Sequence, residues 1–388
     1  MKFQKLLVLG ILIMGYHSYS QPNAEKPNLR QGAYYEEQQA VRIHKEFAKT
    51  YHDRSSWQQR AEKIKMGILK GAEVDYKNRK KPDNILIHSR LELSGYIVEN
   101  VSFQSLEGIY VTGNLYSPTQ IKGKIPAILC PHGHGPDPRL AAYTQQRCAT
   151  LARMGAYVFA YDMIGTGDSK QCNHKIEKAF KLQTYNSIAA LDFMETLKNV
   201  DKKRMAITGE SGGGTQTFIL AAIDPRIAVS VPVVMVSGHF FGGCQCESGM
   251  QVHKNDDFET SNLEIASTFA PKPMLLVSDG ADWTKNTPNF EFPYVKKIYG
   301  YYKAAKNVEN VHLEDEKHDY GPNKRLAAYS FLAKHLKLSL KKVQRQGLVD
   351  EFVNSILTPQ QLSVFNAKYP IPANALQGDE AVMRLLSK

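Results

Sequence analysis

The chain has 388 residues, 43% hydrophobic and 22% charged, the composition of an ordinary globular protein with enough apolar material for one large core or two modest ones. Its formal charge of +11 is spread along the sequence without the aromatic–basic alternation of a nucleic-acid surface, so no nucleic-acid partner is expected. Five cysteines in so long a chain exclude a disulfide scaffold.

In chain order, MKFQK is a short positive region, LLVLGILIMGY an apolar run of leader length, and Ser18-Tyr19-Ser20 a small-x-small cleavage site. Residues 1–20 therefore read as a signal peptide, with export to the periplasm or exterior, and no cysteine follows that would carry a lipid anchor. Neither this run nor any later one is long and apolar enough to be expected to span a bilayer. Residues 21–97 are expected to form an N-terminal arm and helical extension, with helical periodicity from Tyr34 to about Ala72. A basic connector follows over 73–90, where Lys77-Asn78-Arg79-Lys80-Lys81 reads as a solvated face.

Extended segments then occur at about 98–104, 108–117, 125–131, 156–162, 204–209, 228–236, 273–278 and 308–313. Helical patterns fall at about 138–154, 178–199, 212–223, 292–306 and 323–337. The first two strands are close enough for a hairpin, and afterwards strand and helix alternate. That order predicts an α/β fold over 98–340, a mostly parallel sheet covered by helices on both faces. Cys130 lies in one of the apolar runs and is expected in the core. Residues 341–388 read as a helical tail packed on this domain.

One turn carries the strongest chemical signal. RMAITGESGGGTQTFILAAI is an apolar strand, then Gly209-Glu210-Ser211-Gly212-Gly213, then an apolar helix. This is G-x-S-x-G in the strand–turn–helix setting that makes Ser211 a candidate nucleophile at a helix N-terminus. β-Carbons at Gly209 or Gly213 are expected to clash with neighbouring elements. Past the ends of later strands lie Asp279-Gly280-Ala281-Asp282 and His318-Asp319-Tyr320-Gly321. Ser211, Asp282 and His318 stand in the order nucleophile, acid, base, with Asp279 and then Glu247 as the alternative acids. An oxyanion hole is expected from the Gly212 amide and from His134 or Gly135 in the turn His132-Gly133-His134-Gly135.

PHGHG, YDMIGTGDS, GESGGG, DGADWT and HDYG follow one another as they do in the α/β-hydrolase superfamily, which residues 98–337 resemble. More narrowly, the chain resembles bacterial exported proteins of the acetyl xylan esterase or carbohydrate esterase type. The resemblance implies a Ser211–Asp282–His318 triad, acyl transfer without a cofactor, and an ester-bearing poly- or oligosaccharide as substrate. An acetyl ester is the first expectation and a uronic acid methyl ester the second. A peptidase or lactone hydrolase with the same triad, or a non-catalytic carbohydrate-binding protein, are the alternatives.

Substrate contacts are sought among His239, Phe240, Phe241, Arg139 and Lys285, which sit on loops at the same sheet edge. The stretch HFFGGCQCESGMQVHKN reads as a glycine-hinged aromatic loop over that edge. Its Cys244 and Cys246, with His239 and His253, have the chemistry of a zinc site but not the spacing of a known module, so no metal is expected.

Overall fold

The computed structural model describes residues 29–256 and 258–388; the expected signal peptide lies outside them. A nine-stranded sheet runs through the molecule. Its strands are β1 Asp83–Glu92, β2 Tyr96–Leu106, β3 Ile109–Pro118, β4 Ile125–Leu129, β5 Tyr157–Tyr161, β6 Val200–Glu210, β7 Ile227–Val233, β8 Met274–Asp279 and β9 Val308–Leu313. Their spatial order is β1-β2-β3-β5-β4-β6-β7-β8-β9. The first three pair antiparallel, β3 meets β5 antiparallel, and all later neighbours are parallel. The α/β architecture is therefore as expected, but the sheet begins at Asp83 rather than at 98.

That extra strand corrects the reading of 73–90 as a connector. It lies at the sheet's edge, with Ile85, Leu86 and Ile87 exposed. Asn84 and Ser89 take positive φ, and the register slips twice against β2. An edge strand interrupted in this way has no clean two-residue alternation. In the basic run beside it Lys77, Asn78, Lys80 and Lys81 are exposed, as expected of a solvated face, but Arg79 turns inward, and it converges with Lys81 and Arg226 on the buried carboxylate of Asp192.

The core lies on both faces of the sheet because successive strand residues point to opposite sides. Phe159 and Tyr161 pack with Trp57, Ile64 and Ile68 of the N-terminal helix Arg54–Gly71, whereas Val158 and Ala160 pack on the other side with Leu151 and Leu332. Cys130 is fully buried, as expected. The helix Gly212–Ile223 is apolar almost all round and sits inside one layer. No helix among the described residues is long and apolar enough to cross a membrane.

The tail departs from the expected run of helices. After a short 3₁₀ helix at Leu340–Val343, only Pro359–Leu362 and Asp379–Leu386 are α-helical, and the chain between them is a strap. Carbonyls at the end of the helix Pro359–Leu362 and the start of the strap are claimed by side chains of the sheet. Asn100 Nδ2 donates to Gln361 O at 3.0 Å and Ser363 O at 2.8 Å, and Asn114 Nδ2 to Leu362 O at 3.1 Å.

Candidate active site

Ser211 joins β6 to the helix Gly212–Ile223 with φ 54° and ψ −123°, a strained conformation for a residue with a side chain. The turn tightens because its flanks carry no side chain. A β-carbon on Gly209 would lie 2.4 Å from the Pro131 carbonyl oxygen, and one on Gly213 2.6 Å from the same atom. The loop after β4 thus presses directly against the serine turn, and a β-carbon on Gly133 would lie 3.1 Å from that of Ser211.

Glu210 fastens that loop. Its Oε1 accepts the Gly133 amide at 3.1 Å and the Tyr143 hydroxyl at 3.1 Å, while Oε2 accepts from the buried Arg147 at 3.1 Å. With the Gly133 amide taken, the next donor along the loop is His134, whose ring lies against Gly212. Gly135 is further out; a β-carbon there would meet only Pro138.

Beyond β8 and β9 the structure brings Asp282 and His318 together. The His318 Nδ1–H donates to Asp282 Oδ2 at 2.6 Å, because a carboxylate can only accept, and this leaves Nε2 as the basic nitrogen. The other Asp282 oxygen accepts from the Thr284 amide and hydroxyl, each at 2.6 Å. Asp279 holds the turn through the Ala281 amide at 3.1 Å and pairs with the buried Lys324 at 3.2 Å. Burial, then the charge of Asp282, raises the Asp279 carboxyl above its ordinary range. Glu247 is occupied elsewhere, accepting the Cys244 amide at 3.1 Å.

Ser211 and His318 line one cavity of about 740 Å³ with Glu210, Tyr143, Gln146, Tyr320 and Arg325. Tyr143, Gln146 and Arg325 were not among the expected site residues. Each lies on a helix, and only the tertiary arrangement turns it to the cavity.

The expected substrate contacts divide. Phe240 stacks on Trp283 at 3.9 Å, and Trp283 lies 4.6 Å from the His318 ring, so the two aromatics back the histidine. Phe241 is wholly buried, edge-on to Tyr35 at 5.5 Å and His253 at 5.0 Å, and offers no surface for stacking a sugar. Arg139 is also buried. It donates to Asp162 and Asp168 at 2.7 Å each and to the Leu362 carbonyl at 3.1 Å, so its charge is spent inside the fold. Lys285 pairs with Glu37 at 2.8 Å. His239 is buried beside Ser237, and burial lowers its pKa. The aromatic loop itself is pinned rather than hinged: Gly32 N–H donates to Gly242 O at 2.8 Å and Phe241 N–H to Gly32 O at 2.9 Å.

The expected grouping of Cys244 and Cys246 with His239 and His253 does not form. His253 bonds Asn262 at 2.6 Å. The two cysteines converge instead with His134 and His174. There Cys246, with both histidines, pulls the Cys244 thiol down to about 2, while Cys246 itself is pushed up.

A serine at a strained strand–helix turn, opening on a histidine held by a carboxylate at the carboxyl edge of a mixed nine-stranded sheet, defines an α/β-hydrolase. Comparison with known proteins narrows the class. Residues 142–342 match the prolyl oligopeptidase family, and the chain belongs to that family of serine hydrolases. The solved structure of methylesterase BT1017 is 36% identical, with a TM-score of 0.84 over 92% of this chain and 82% of that one. A glucuronoyl esterase from Solibacter usitatus shares the fold at 14% identity, with a TM-score of 0.54 over 73% of this chain and 94% of that one. The bifunctional acetylxylan esterase/xylanase XynS20E of Neocallimastix patriciarum is 27% identical over 54% of this chain, which spans 31% of that protein. Other relatives are likewise matched over less than half their length, 36% and 47%.

Proposed function

We propose that this protein is a serine esterase acting on ester groups of poly- or oligosaccharides, with the methyl ester of a uronic acid as the first substrate and an acetyl ester as the second. The observation that carries the reading is the shared cavity of Ser211 and His318, with Asp282 2.6 Å behind the histidine. The likeness to methylesterase BT1017 over nearly the whole chain supports placing the methyl ester ahead of the acetyl ester, reversing the order expected from sequence. The name of the matched xylan-active relative keeps the acetyl ester as the alternative. Export is part of the proposal and rests on the leader pattern alone.

In this mechanism His318 Nε2 takes the Ser211 proton as Oγ attacks the ester carbonyl. The oxyanion is held by the Gly212 and His134 amides, a donor of this kind contributing about 3 kcal/mol to the transition state. As the tetrahedral intermediate collapses, the imidazolium protonates the departing methoxide, which leaves as methanol, and water then releases the uronate from the acyl-enzyme. A cavity of about 740 Å³ leaves room for a sugar ring beside the reacting carbon.

The test is release of methanol from methyl-esterified pectin and of acetate from acetylated xylan, with p-nitrophenyl acetate as a general probe. Ser211→Ala is expected to lower turnover roughly 10⁴–10⁶-fold on every substrate that wild type cleaves. Equal rates for the two proteins refute the serine mechanism. Acetate release in the absence of methanol release refutes the methyl ester reading.

A further inference from the structure

Beside Gly212, four side chains meet that the hydrolytic mechanism does not use. His134 comes from the loop after β4, His174 from the loop after β5, and Cys244 and Cys246 from the loop after β7. One nitrogen or sulfur atom from each lies within 4.8 Å of every other. His134 Nε2 is 3.0 Å from His174 Nε2 and 3.3 Å from Cys246 Sγ. In a tetrahedral zinc site with two sulfur and two nitrogen ligands, neighbouring donor atoms are about 3.3–3.8 Å apart. The cluster is already near that size.

The geometry points to a structural zinc site formed by His134, His174, Cys244 and Cys246, which ties the three loops together beside the serine turn. Three further observations agree with it. The His174 Nδ1–H donates to the Ile164 carbonyl at 2.6 Å, so the lone pair of its neutral ring is on Nε2, the atom facing the cluster. A carbonyl behind a histidine ligand is the usual outer support of a metal site. Behind the cysteine loop, Glu247 accepts the Cys244 amide at 3.1 Å. Finally, all five cysteines are free thiols, and Cys244 and Cys246 are too close in sequence for an unstrained disulfide.

Charge and ligand number decide the type of site. Two thiolates neutralise a zinc dication, so the complex brings no net charge into a half-buried position. Four protein donors complete the tetrahedral shell and leave no position for a reactive water, which makes the site structural rather than catalytic. Its effect on hydrolysis is positional. His134 supplies both a ligand and the backbone amide assigned to the oxyanion, and its ring contacts Gly212. Metal at Nε2 would hold that amide in place. This last consequence rests on the proposed esterase reading; metal binding does not.

The experiment measures zinc by mass spectrometry in untagged full-length protein, after dialysis against a chelator and reconstitution with Zn²⁺ alone. About one zinc per chain is expected in wild type and equally in Ser211→Ala, so binding is scored apart from esterase activity. Cys246→Ser and the more exposed His174→Ala are each expected to fall to background, while Cys172→Ser retains the metal. Wild type reconstituted with Co²⁺ is expected to show thiolate charge-transfer absorption and the strong visible bands of a tetrahedral site. Chelated wild type is expected to lose about 10–100-fold in kcat and to recover it with Zn²⁺. Background zinc in reconstituted wild type overturns the site. So does zinc retained by both ligand variants, or a cobalt spectrum without thiolate bands. Full activity in zinc-free protein overturns the positional role.

Discussion

Replacing Asp282 by asparagine separates the two carboxylates that the sequence leaves in competition. The carboxylate is almost wholly buried, one oxygen on His318 Nδ1 and the other on Thr284. An asparagine can keep its carbonyl oxygen on the two Thr284 donors, because both must be accepted. Its amide NH₂ then faces His318 and donates, which moves the imidazole proton to Nε2. That tautomer has no lone pair for the Ser211 proton, so the loss is one of chemistry rather than of folding. The expected fall in kcat/KM on p-nitrophenyl acetate is about 10⁴-fold, or about 5.5 kcal/mol of transition-state stabilisation. Asp279→Asn is the control. It leaves Lys324 with Asp319 at 3.0 Å and Glu316 at 3.3 Å, so it is expected to cost about 1–3 kcal/mol in urea unfolding and less than tenfold in kcat/KM. A folded Asp282→Asn enzyme within tenfold of wild type would refute the reasoning, as would a 10⁴-fold loss confined to Asp279→Asn.

Two further outcomes concern groups away from the reacting atoms. Arg139→Met leaves Asp162 buried without its partner, and is expected to lower stability by about 3–5 kcal/mol in urea unfolding. KM for ester substrates should stay within about threefold; a large rise in KM at unchanged stability would mean that Arg139 meets the substrate after all. Burial raises Glu291 from 4.5 to about 7, while its Oε1 accepts the Gly238 amide at 3.0 Å. Between those two values the unfolded chain has released the proton and the folded chain still holds it, so stability falls as pH rises, by about 3 kcal/mol in all. Glu291→Gln keeps an acceptor for Gly238 and should flatten this fall, leaving the variant more stable than wild type at pH 8. An unchanged pH profile of urea unfolding would refute the assignment.

What could be read before the fold was known follows from what is local. The turn around Ser211 shows itself because strand, sharp bend and helix must be contiguous, and Gly209 and Gly213 are required where the Pro131 carbonyl approaches. Asp282 and His318 stand out because an open parallel sheet gathers the loops after successive strands along one edge. Arg139 was misplaced because a charged residue on a loop normally faces water, and nothing nearby in sequence announces Asn114, Asp162 and the tail carbonyl that enclose it. Phe241 was misplaced by its neighbour: in a strand-like pair one ring turns toward Trp283 and the other into the core.

The cysteine–histidine cluster shows the same limit in its sharpest form. Zinc modules legible in sequence take their ligands from a short hairpin or finger, so the spacing itself is the signal. Here the strand order places β4 and β5 side by side and β7 one strand beyond β6, and the loops after these three strands carry donors far apart in sequence. Searching near Cys244 and Cys246 therefore finds His239 and His253, which are close in sequence and turned elsewhere. The strand that lies between the contributing loops is β6, the one that presents Ser211. A cation at this point would join the loops on either side of the nucleophile without touching it, so its contribution to hydrolysis would be to the position of the His134 amide and not to the bonds being made and broken.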